Sequence, residues 1–251
     1  MAVQGDVSEL IGTATIYCGP APTPNQLWAS WNTDPAVLAG LISFSAMIWI
    51  KRQHISLGPA VVGLIALFVA FVSPLCAFTS ALFTARAIHH VVILTLAAPA
   101  LAIAMPVVRI GTVSLWLAAV TAVMVAWHIP SIYSWIWQSA IAYWSMQAAM
   151  LGSAWAFWSM ALAAPERTEQ IIYNAFGIAG LAGIMGLVGA VLTFSSSILY
   201  FEHVDGAALW GLAPIADQQL AGLVMWVPGF VPVATLAAVM LRRSWMRGIE
   251  A

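Results

Sequence analysis

The segment LGPAVVGLIALFVAFVSPLCAFTSALFTARAIHHVVILTLAAPALAIAM, residues 57–105, is the strongest indication of the fold class of this chain. Arg86 is its only formal charge. A helix crosses the hydrocarbon core of a bilayer with about 20 apolar residues, so this stretch is too long for one crossing. It therefore predicts two transmembrane helices, 57–76 and 83–105, with a turn back at residues 74–80.

The composition of the whole chain indicates the same class of protein. Of its 251 residues, 63% are hydrophobic and only 7% are charged, whereas soluble domains carry about 25% charged residues. So few charges cannot cover a water-facing surface, and most of the surface is therefore expected to contact membrane lipid. The chain has no basic patch, which predicts that it has no nucleic-acid partner.

Working outward from residues 57–105, apolar segments predict an all-α fold, a polytopic membrane bundle of about seven transmembrane helices. The predicted helices are 35–50, 57–76, 83–105, 111–127, 140–163, 171–195 and 218–241. The motif HIPSIY at residues 128–133 ends the fourth, because Pro130 removes a backbone donor and disfavours helix at Ile129. We expect three regions: an external tail at 1–34, the seven-helix domain at 35–243 and a cytoplasmic tail at 244–251.

The distribution of charge predicts the orientation. With the N-terminus outside, seven of the eight Lys and Arg residues fall in cytoplasmic segments, namely Lys51, Arg52, Arg109, Arg167, Arg242, Arg243 and Arg247. The external segments hold only acidic charges, Asp6, Glu9, Asp34, Glu202, Asp205 and Asp217. An excess of Lys and Arg on the cytoplasmic side is typical of membrane proteins. Tryptophans that form an aromatic belt are expected near the external interface, at Trp28, Trp31, Trp127, Trp135, Trp137, Trp144 and Trp210.

The sixth predicted helix carries regularly spaced glycines, Gly177, Gly180, Gly183, Gly186 and Gly189. Small residues let neighbouring helices approach closely in lipid. The pattern therefore predicts tight helix packing, and a substrate path is the alternative interpretation.

Polar residues inside the predicted helices gather towards their external ends. An ionisable group near the bilayer centre costs at least about 2.5–3.5 kcal/mol, so each one is a candidate functional residue. Arg86 and His90 share one face of the third helix, while His89 points about 100° away from His90. The remaining members of this predicted polar cluster are Met124, His128, Tyr143, Gln147, Asp217, Gln218 and Trp226.

This convergence predicts a metal site, with His90, His128 and Asp217 as ligands and Met124 and His89 as further candidates. Imidazole binds copper, zinc or iron, while thioether and thiolate groups select Cu(I), which makes Cys76 another candidate. Each residue also has a structural interpretation. Arg86 and Asp217 could form a buried ion pair, His89 could bond a neighbouring helix, His128 could cap a broken helix, and methionines usually pack.

Two further expectations concern residues outside the predicted helices. His54 and His203 are expected in solvated loops, and a single disulfide between Cys18 and Cys76 is compatible with the sequence. The chain contains no phosphate-binding glycine loop, Walker sequence or nucleophile elbow, which predicts a protein that is not an enzyme.

Four motifs together resemble the multi-spanning CtaG family of cytochrome c oxidase assembly factors. They are SPLCAFTSALFTARAIHHVVILTLAAPALAIAMP at 73–106, WHIPSIYSW at 127–135, GLVGAVLTFSSSILY at 186–200 and IADQQLAGLVMWVPG at 215–229. The similarity extends from about Trp31 to Arg243. It implies a seven-helix fold in the bacterial cytoplasmic (inner) membrane, a role in maturing a haem–copper oxidase, oxidase subunits as partners, and copper as the handled metal.

The chain departs from the family pattern at the expected metal ligands. The family's third helix usually carries His-x-x-x-His, where this chain has Arg86 and His90. The family's fifth helix usually carries another histidine pair, where this chain has Tyr143 and Gln147. His128, Asp217, Gln218 and Trp226 match. The resemblance thus implies a site either rebuilt with other ligands or no longer binding metal.

The leading hypothesis is a non-catalytic assembly factor for a respiratory haem–copper cytochrome c oxidase, acting at the outer face of the membrane. The first alternative is a permanent accessory subunit of a respiratory complex without metal. The second is a transporter of copper or another small solute, which would need a polar path into the cytoplasmic half. Asn174 is the main polar residue expected there. A haem-bearing redox protein is a further alternative, for which few histidines are available.

Overall fold

The computed structural model describes residues 17–107, 111–163 and 167–250. The predicted cytoplasmic residue Arg109, the external residues Asp6 and Glu9, and Ala251 of the predicted C-terminal tail lie outside these ranges. The described residues are α-helical with short 3-10 and π segments and contain no strand, so the all-α prediction is confirmed for them.

Twelve α-helices are numbered in chain order within the described residues. The first six are α1 (Pro35–Ile50), α2 (Leu57–Phe71), α3 (Pro74–Ala81), α4 (Phe83–Val92), α5 (Ala98–Ala104) and α6 (Val113–His128). The others are α7 (Pro130–Trp137), α8 (Ala140–Ala161), α9 (Thr168–Phe194), α10 (Val204–Leu209), α11 (Pro214–Val224) and α12 (Val231–Glu250). Short 3-10 turns lie at Leu27–Ala29 and Phe201–His203, and π segments at Ile93–Ala97 and Met225–Phe230.

Within the described ranges, three continuous helical stretches are long and apolar enough to cross a membrane, namely Phe83–Ala104, Thr168–Phe194 and Pro214–Met246. Two bent pairs, α2 with α3 and α6 with α7, raise this number to five in the described residues if each pair is one crossing. The predicted first helix, α1, is apolar but shorter. The predicted fifth, α8, is long but carries polar residues such as Tyr143 and Gln147.

The turn predicted at 74–80 is helical instead. Ser73 caps α3 by accepting from the Leu75 amide, and Pro74 occupies the first turn of that helix, where its missing N–H costs nothing. The helix direction changes by 44° between α2 and α3. The chain then breaks at Leu82, whose backbone is extended, and α4 begins at Phe83.

The break predicted at HIPSIY is confirmed. Helix α6 ends at His128, Ile129 is extended, and Pro130 opens α7 at an angle of 76° to α6. Proline also accounts for both π segments, because a proline ring inside a helix removes one backbone hydrogen bond and displaces the preceding turn. Pro228 lies within Met225–Phe230, and Pro99 follows Ile93–Ala97.

Helix α9 lies at the centre of the C-terminal half and packs against α6, α11 and α12. A Cβ at Gly189 would lie 2.7 Å from the Gly222 carbonyl oxygen, and one at Gly177 would lie 2.4 Å from the Val113 side chain. The prediction of tight packing is therefore confirmed at these glycines. Gly183 differs, since no atom would lie within 4 Å of its Cβ.

An N-terminal segment, residues 17–34, packs on one end of the helices. A disulfide joins Cys18 to Cys76 at the start of α3, which confirms that the two cysteines can pair. Asn32 donates from its side chain to the Phe71 carbonyl and from its backbone to the Val72 carbonyl. The segment is thus tied to the ends of α2 and α3.

Candidate functional site

A buried polar cluster lies beneath the N-terminal segment. We define it as Arg86, His89, His90, Trp127, His128, Tyr143 and Gln147, contributed by α4, α6 and α8. The sequence predicted a role for all seven residues, but it predicted Trp127 as part of the aromatic belt rather than of this cluster. The apolar core surrounds the cluster on the same helices, including Phe83, Met124 and Met150.

Asp217 of α11 sets the position of α4. Its carboxylate accepts hydrogen bonds from the backbone amides of Phe83, at 2.7 Å, and Thr84, at 3.0 Å. The Thr84 hydroxyl donates to the Asp217 carbonyl. The first amides of a helix have no partner within the helix, and a carboxylate also interacts favourably with the positive end of the helix dipole. Asp217 is therefore a cap for α4, supplied from a helix distant in sequence.

Arg86 lies one turn into α4 with no exposed surface. Its Nη2 donates to the Thr79 carbonyl at 3.3 Å. Nε and Nη1 make no hydrogen bond of normal geometry to the described residues, but the side chains of Tyr133 and Tyr143 interact with the guanidinium. Its guanidinium carbon lies 5.8 Å from the centre of the Trp127 ring and 5.6 Å from that of Tyr143. The predicted alternative of a direct Arg86–Asp217 ion pair is thus wrong, because the carboxylate bonds backbone amides instead.

His90 lies between two residues of α6. Its ring centre is 4.8 Å from that of Trp127 and 5.7 Å from that of His128. His89 faces the other way, with its ring edge-on to Phe71 at 5.2 Å. His89 interacts with the Ala70 backbone of α2, in agreement with the predicted bond to a neighbouring helix. No hydrogen bond of normal geometry joins the ring nitrogens of His89 or His90 to the described residues.

His128 has a fixed tautomer. Its Nδ1 donates to the Met124 carbonyl at 2.7 Å, since a carbonyl oxygen can only accept. The other nitrogen, Nε2, is then an acceptor when the ring is neutral. The predicted ligand Met124 contributes this backbone bond, and its side chain is fully buried in the apolar core.

Helix α8 closes the cluster with Tyr143 and Gln147, which are four residues apart and therefore share one helix face. Both are buried, and Gln147 interacts with the Tyr143 hydroxyl, although its amide makes no hydrogen bond of normal geometry to the described residues. Above them, Tyr17 stacks on Tyr143 at 5.3 Å, and the Cys18 sulfur lies 3.6 Å from the Tyr143 hydroxyl. The N-terminal segment thus covers the cluster.

One bond fixes the position of Tyr17 in this cover. Its hydroxyl donates to the Asp34 carboxylate at 2.5 Å, and Asp34 also accepts from the Ala36 amide. These hydrogen bonds hold the pKa of Asp34 below its ordinary value. Burial and the bond to Asp34 raise the pKa of Tyr17. Both groups therefore keep their complementary donor and acceptor forms at neutral pH.

The prediction that His203 is solvated is wrong. His203 is 2% exposed, and its Nε2 lies 2.7 Å from the Tyr133 hydroxyl. Burial, with a contribution from the charge of Arg86, lowers the pKa of His203 to about 3. The loop between α9 and α11 folds back over α7, a long-range arrangement that no local sequence pattern indicates. His54, by contrast, is exposed as predicted.

Two other predicted members have structural contacts away from Arg86. Gln218 accepts from the Leu199 amide and donates to the Ser197 carbonyl, which anchors the loop after α9 to α11. Trp226 lies in the second π segment and packs edge-on against Phe194 at 5.8 Å. The sequence predicted Gln218 and Trp226 as members of the polar cluster but did not predict which residues they contact.

The donors present do not fit a resident copper ion. In the ranges that the structure describes, no group of three or more His, Cys, Asp or Glu residues is arranged to hold a metal. Cys76 is in a disulfide and supplies no thiolate. Asp217 bonds two amides, and the charge of Arg86 opposes a cation beside His90. Of the proposed ligands, His90 lies close to both His128 and His89, with ring centres 5.7 and 5.9 Å apart, and metal binding by these residues stays a prediction.

Comparison with known proteins gives the family. The chain matches the model of the cytochrome c oxidase caa3 assembly factor family (Caa3_CtaG) over residues 109–248, which is more than half of its 251 residues. No curated protein and no solved structure shows significant similarity to it. The matched region includes His128, Tyr143, Gln147 and Asp217, and with it the resemblance seen in the sequence is confirmed. This chain belongs to the cytochrome c oxidase caa3 assembly factor family.

Proposed function

We propose that this protein is a non-catalytic assembly or maturation factor for a respiratory haem–copper cytochrome c oxidase, with oxidase subunits as its partners. The observation that carries the proposal is the family match over residues 109–248. The apolar helices agree with a protein that acts inside the membrane, where the oxidase subunits are inserted.

The site of action in this proposal is the outer face of a bacterial cytoplasmic membrane. The chain crosses the membrane seven times, with α1, the α2–α3 pair, α4–α5, the α6–α7 pair, α8, α9 and α11–α12 as the crossings. The Cys18–Cys76 disulfide supports an external N-terminal segment, because structural disulfides persist in oxidising compartments. Lys51 and Arg52 after α1, and Arg242 and Arg243 in α12, agree with cytoplasmic ends.

The proposed role is to hold a partner subunit during assembly rather than to keep a copper ion of its own. Arg86 in the buried polar cluster and the bonds of Asp217 to backbone amides support this choice. Elemental analysis of the purified protein, beside His90→Ala and His128→Ala, tests the copper alternative. Copper retained by the wild type and lost in both variants would establish copper handling; no copper in any sample is the expected result.

Deletion of the gene tests the assembly role. We expect membranes of the deletion strain to lose oxidase activity and the haem absorption of the mature enzyme, and expression of the wild-type protein to restore both. A fully active, fully metallated oxidase in the deletion strain would contradict the proposal. Co-purification with mature oxidase at fixed stoichiometry would instead identify a permanent accessory subunit, which a transient factor does not produce.

A further inference from the structure

The buried polar cluster contains hydrogen-bond donors without a well-placed acceptor. Arg86 Nε and Nη1 and Trp127 Nε1 are buried and make no hydrogen bond of normal geometry to the described residues. Arginine and tryptophan side chains have no acceptor atom, so neither can receive the N–H groups of the other. Arg86 is fully buried and Trp127 is 1% exposed. Buried donors of this kind are normally satisfied by a bound group.

The charge of Arg86 increases the need for a partner to its buried N–H groups. An arginine remains protonated in proteins, and burying a charge without a partner is costly. The rings of Trp127 and Tyr143 face the guanidinium and offset part of that cost. The in-plane N–H groups still make no hydrogen bond of normal geometry, and the Asp217 carboxylate bonds backbone amides rather than Arg86. The hydroxyls of Tyr133 and Tyr143 interact with the guanidinium but are neutral, so they do not balance its charge.

The neighbouring groups are neutral and include no carboxylate. A neutral imidazole offers one N–H donor and one acceptor nitrogen, and an amide offers two N–H donors and one acceptor oxygen, so each can donate to an anion. The ring nitrogens of His90 make no hydrogen bond of normal geometry to the described chain. His90 lies 4.8 Å from Trp127, which in turn faces Arg86. A fixed positive charge among neutral donors attracts an anion and repels a cation.

We propose that the buried polar cluster binds one small monovalent anion, such as chloride, with Arg86 and Trp127 as its principal donors. The enclosure supports a small ion rather than a lipid headgroup, because Arg86 has no exposed surface and Tyr17 covers Tyr143. The inference follows from the chemistry of the cluster and does not rest on the proposed role in oxidase assembly.

Binding of radioactive chloride to the purified full-length protein tests this. The protein is kept in sodium gluconate of constant ionic strength, and bound 36Cl is measured by equilibrium dialysis. We expect saturable binding of about one chloride per chain, displaced by bromide, nitrate or formate. Arg86→Met should abolish the binding. Arg52→Met is the matched control. Arg52 also lies on a tryptophan, with its guanidinium 4.2 Å from the centre of the Trp49 ring, but it is exposed. The Arg52→Met variant should bind chloride as the wild type does.

A second variant covers the case in which Arg86→Met does not fold. Trp127→Phe keeps an aromatic ring over Arg86 and removes only the indole N–H. It should weaken chloride binding about tenfold to a hundredfold, as expected for one hydrogen bond to a charged group. An absence of saturable anion binding by the wild type would overturn the proposal, as would unchanged binding in Trp127→Phe, and would assign the unpaired donors to buried water.

Discussion

At the scale of single residues, Asp217 shows how a candidate ligand can have a structural role. A carboxylate placed at the N-terminus of another helix satisfies amides that the helix itself cannot satisfy. Its two bonds fix where α4 begins, and so fix the position of Arg86, His89 and His90 relative to α6 and α8. Asp217 thereby determines the geometry of the buried polar cluster without being one of its members.

Removing this cap should destabilise the protein. Asp217→Ala leaves the amides of Phe83 and Thr84 buried without an acceptor, and we expect a loss of about 1–3 kcal/mol in the free energy of unfolding. Asp217→Asn keeps one acceptor oxygen, so its free energy of unfolding should fall by less. Thermal unfolding of the purified variants, followed by intrinsic tryptophan fluorescence, measures the effect as a fall in midpoint.

Asp205→Asn is the control for the Asp217 variants. Asp205 lies in the first turn of α10, close to Asp217 in sequence, but is exposed. Its loss should leave the unfolding midpoint within experimental error. Equal midpoints for Asp217→Ala and the wild type would contradict the assignment of Asp217 as a cap.

At the scale of helices, the contact between α9 and α11 depends on two glycines. A Cβ at Gly189 would lie 2.7 Å from the Gly222 oxygen and 2.9 Å from the Trp226 nitrogen, both backbone atoms. Gly189→Ala therefore forces the helices apart, and we expect a loss of about 1–3 kcal/mol in stability, typical of overpacking. Unfolding midpoints of the purified variants measure it.

Gly183→Ala provides a matched control in the same helix. No atom lies within 4 Å of the place that its Cβ would occupy, so the added methyl group meets no neighbour. Alanine is also a better helix former than glycine by about 1 kcal/mol. This variant should be as stable as the wild type or more stable. If both alanine variants behaved alike, the close contact at Gly189 would not govern packing.

The positions of the helices could be predicted from the sequence because each apolar run is long and ends at charges or proline. The prediction was wrong at 74–80, where Ser73 and Pro74 start a helix and Leu82 provides the break. Serine followed by proline signals a helix start as readily as a turn, and only the packing of α3 on α4 distinguishes the two.

The buried polar cluster could be predicted in part. The four-residue spacing of Arg86 with His90, and of Tyr143 with Gln147, placed each pair on one helix face. The burial of His203 and the bonds of Asp217 could not be predicted, because both depend on contacts between segments far apart in the chain. Tyr133 was missed as the partner of His203 for the same reason.

At the scale of the whole molecule, the disulfide bears on which end of the helix bundle faces the outside of the membrane. Cys18 and Cys76 join the N-terminal segment to α3 and keep Tyr17 over Tyr143. Structural disulfides usually persist in oxidising compartments, in agreement with the proposed external position of this segment. The covered end of the bundle is therefore the end that the proposed orientation assigns to the external side, and the buried polar cluster lies beneath it.

Cysteine labelling tests this orientation. Ser56 precedes α2 and Ser196 follows α9, and both are exposed serines outside helices. Seven crossings from an external N-terminus assign Ser56 to the cytoplasm and Ser196 to the outside. In spheroplasts, a membrane-impermeant maleimide should therefore label Ser196→Cys strongly and Ser56→Cys only after lysis, while the disulfide-bonded native cysteines give no background. Labelling of Ser56→Cys in intact spheroplasts would contradict the proposed orientation. Equal protection of both sites would contradict the proposed number of crossings between them.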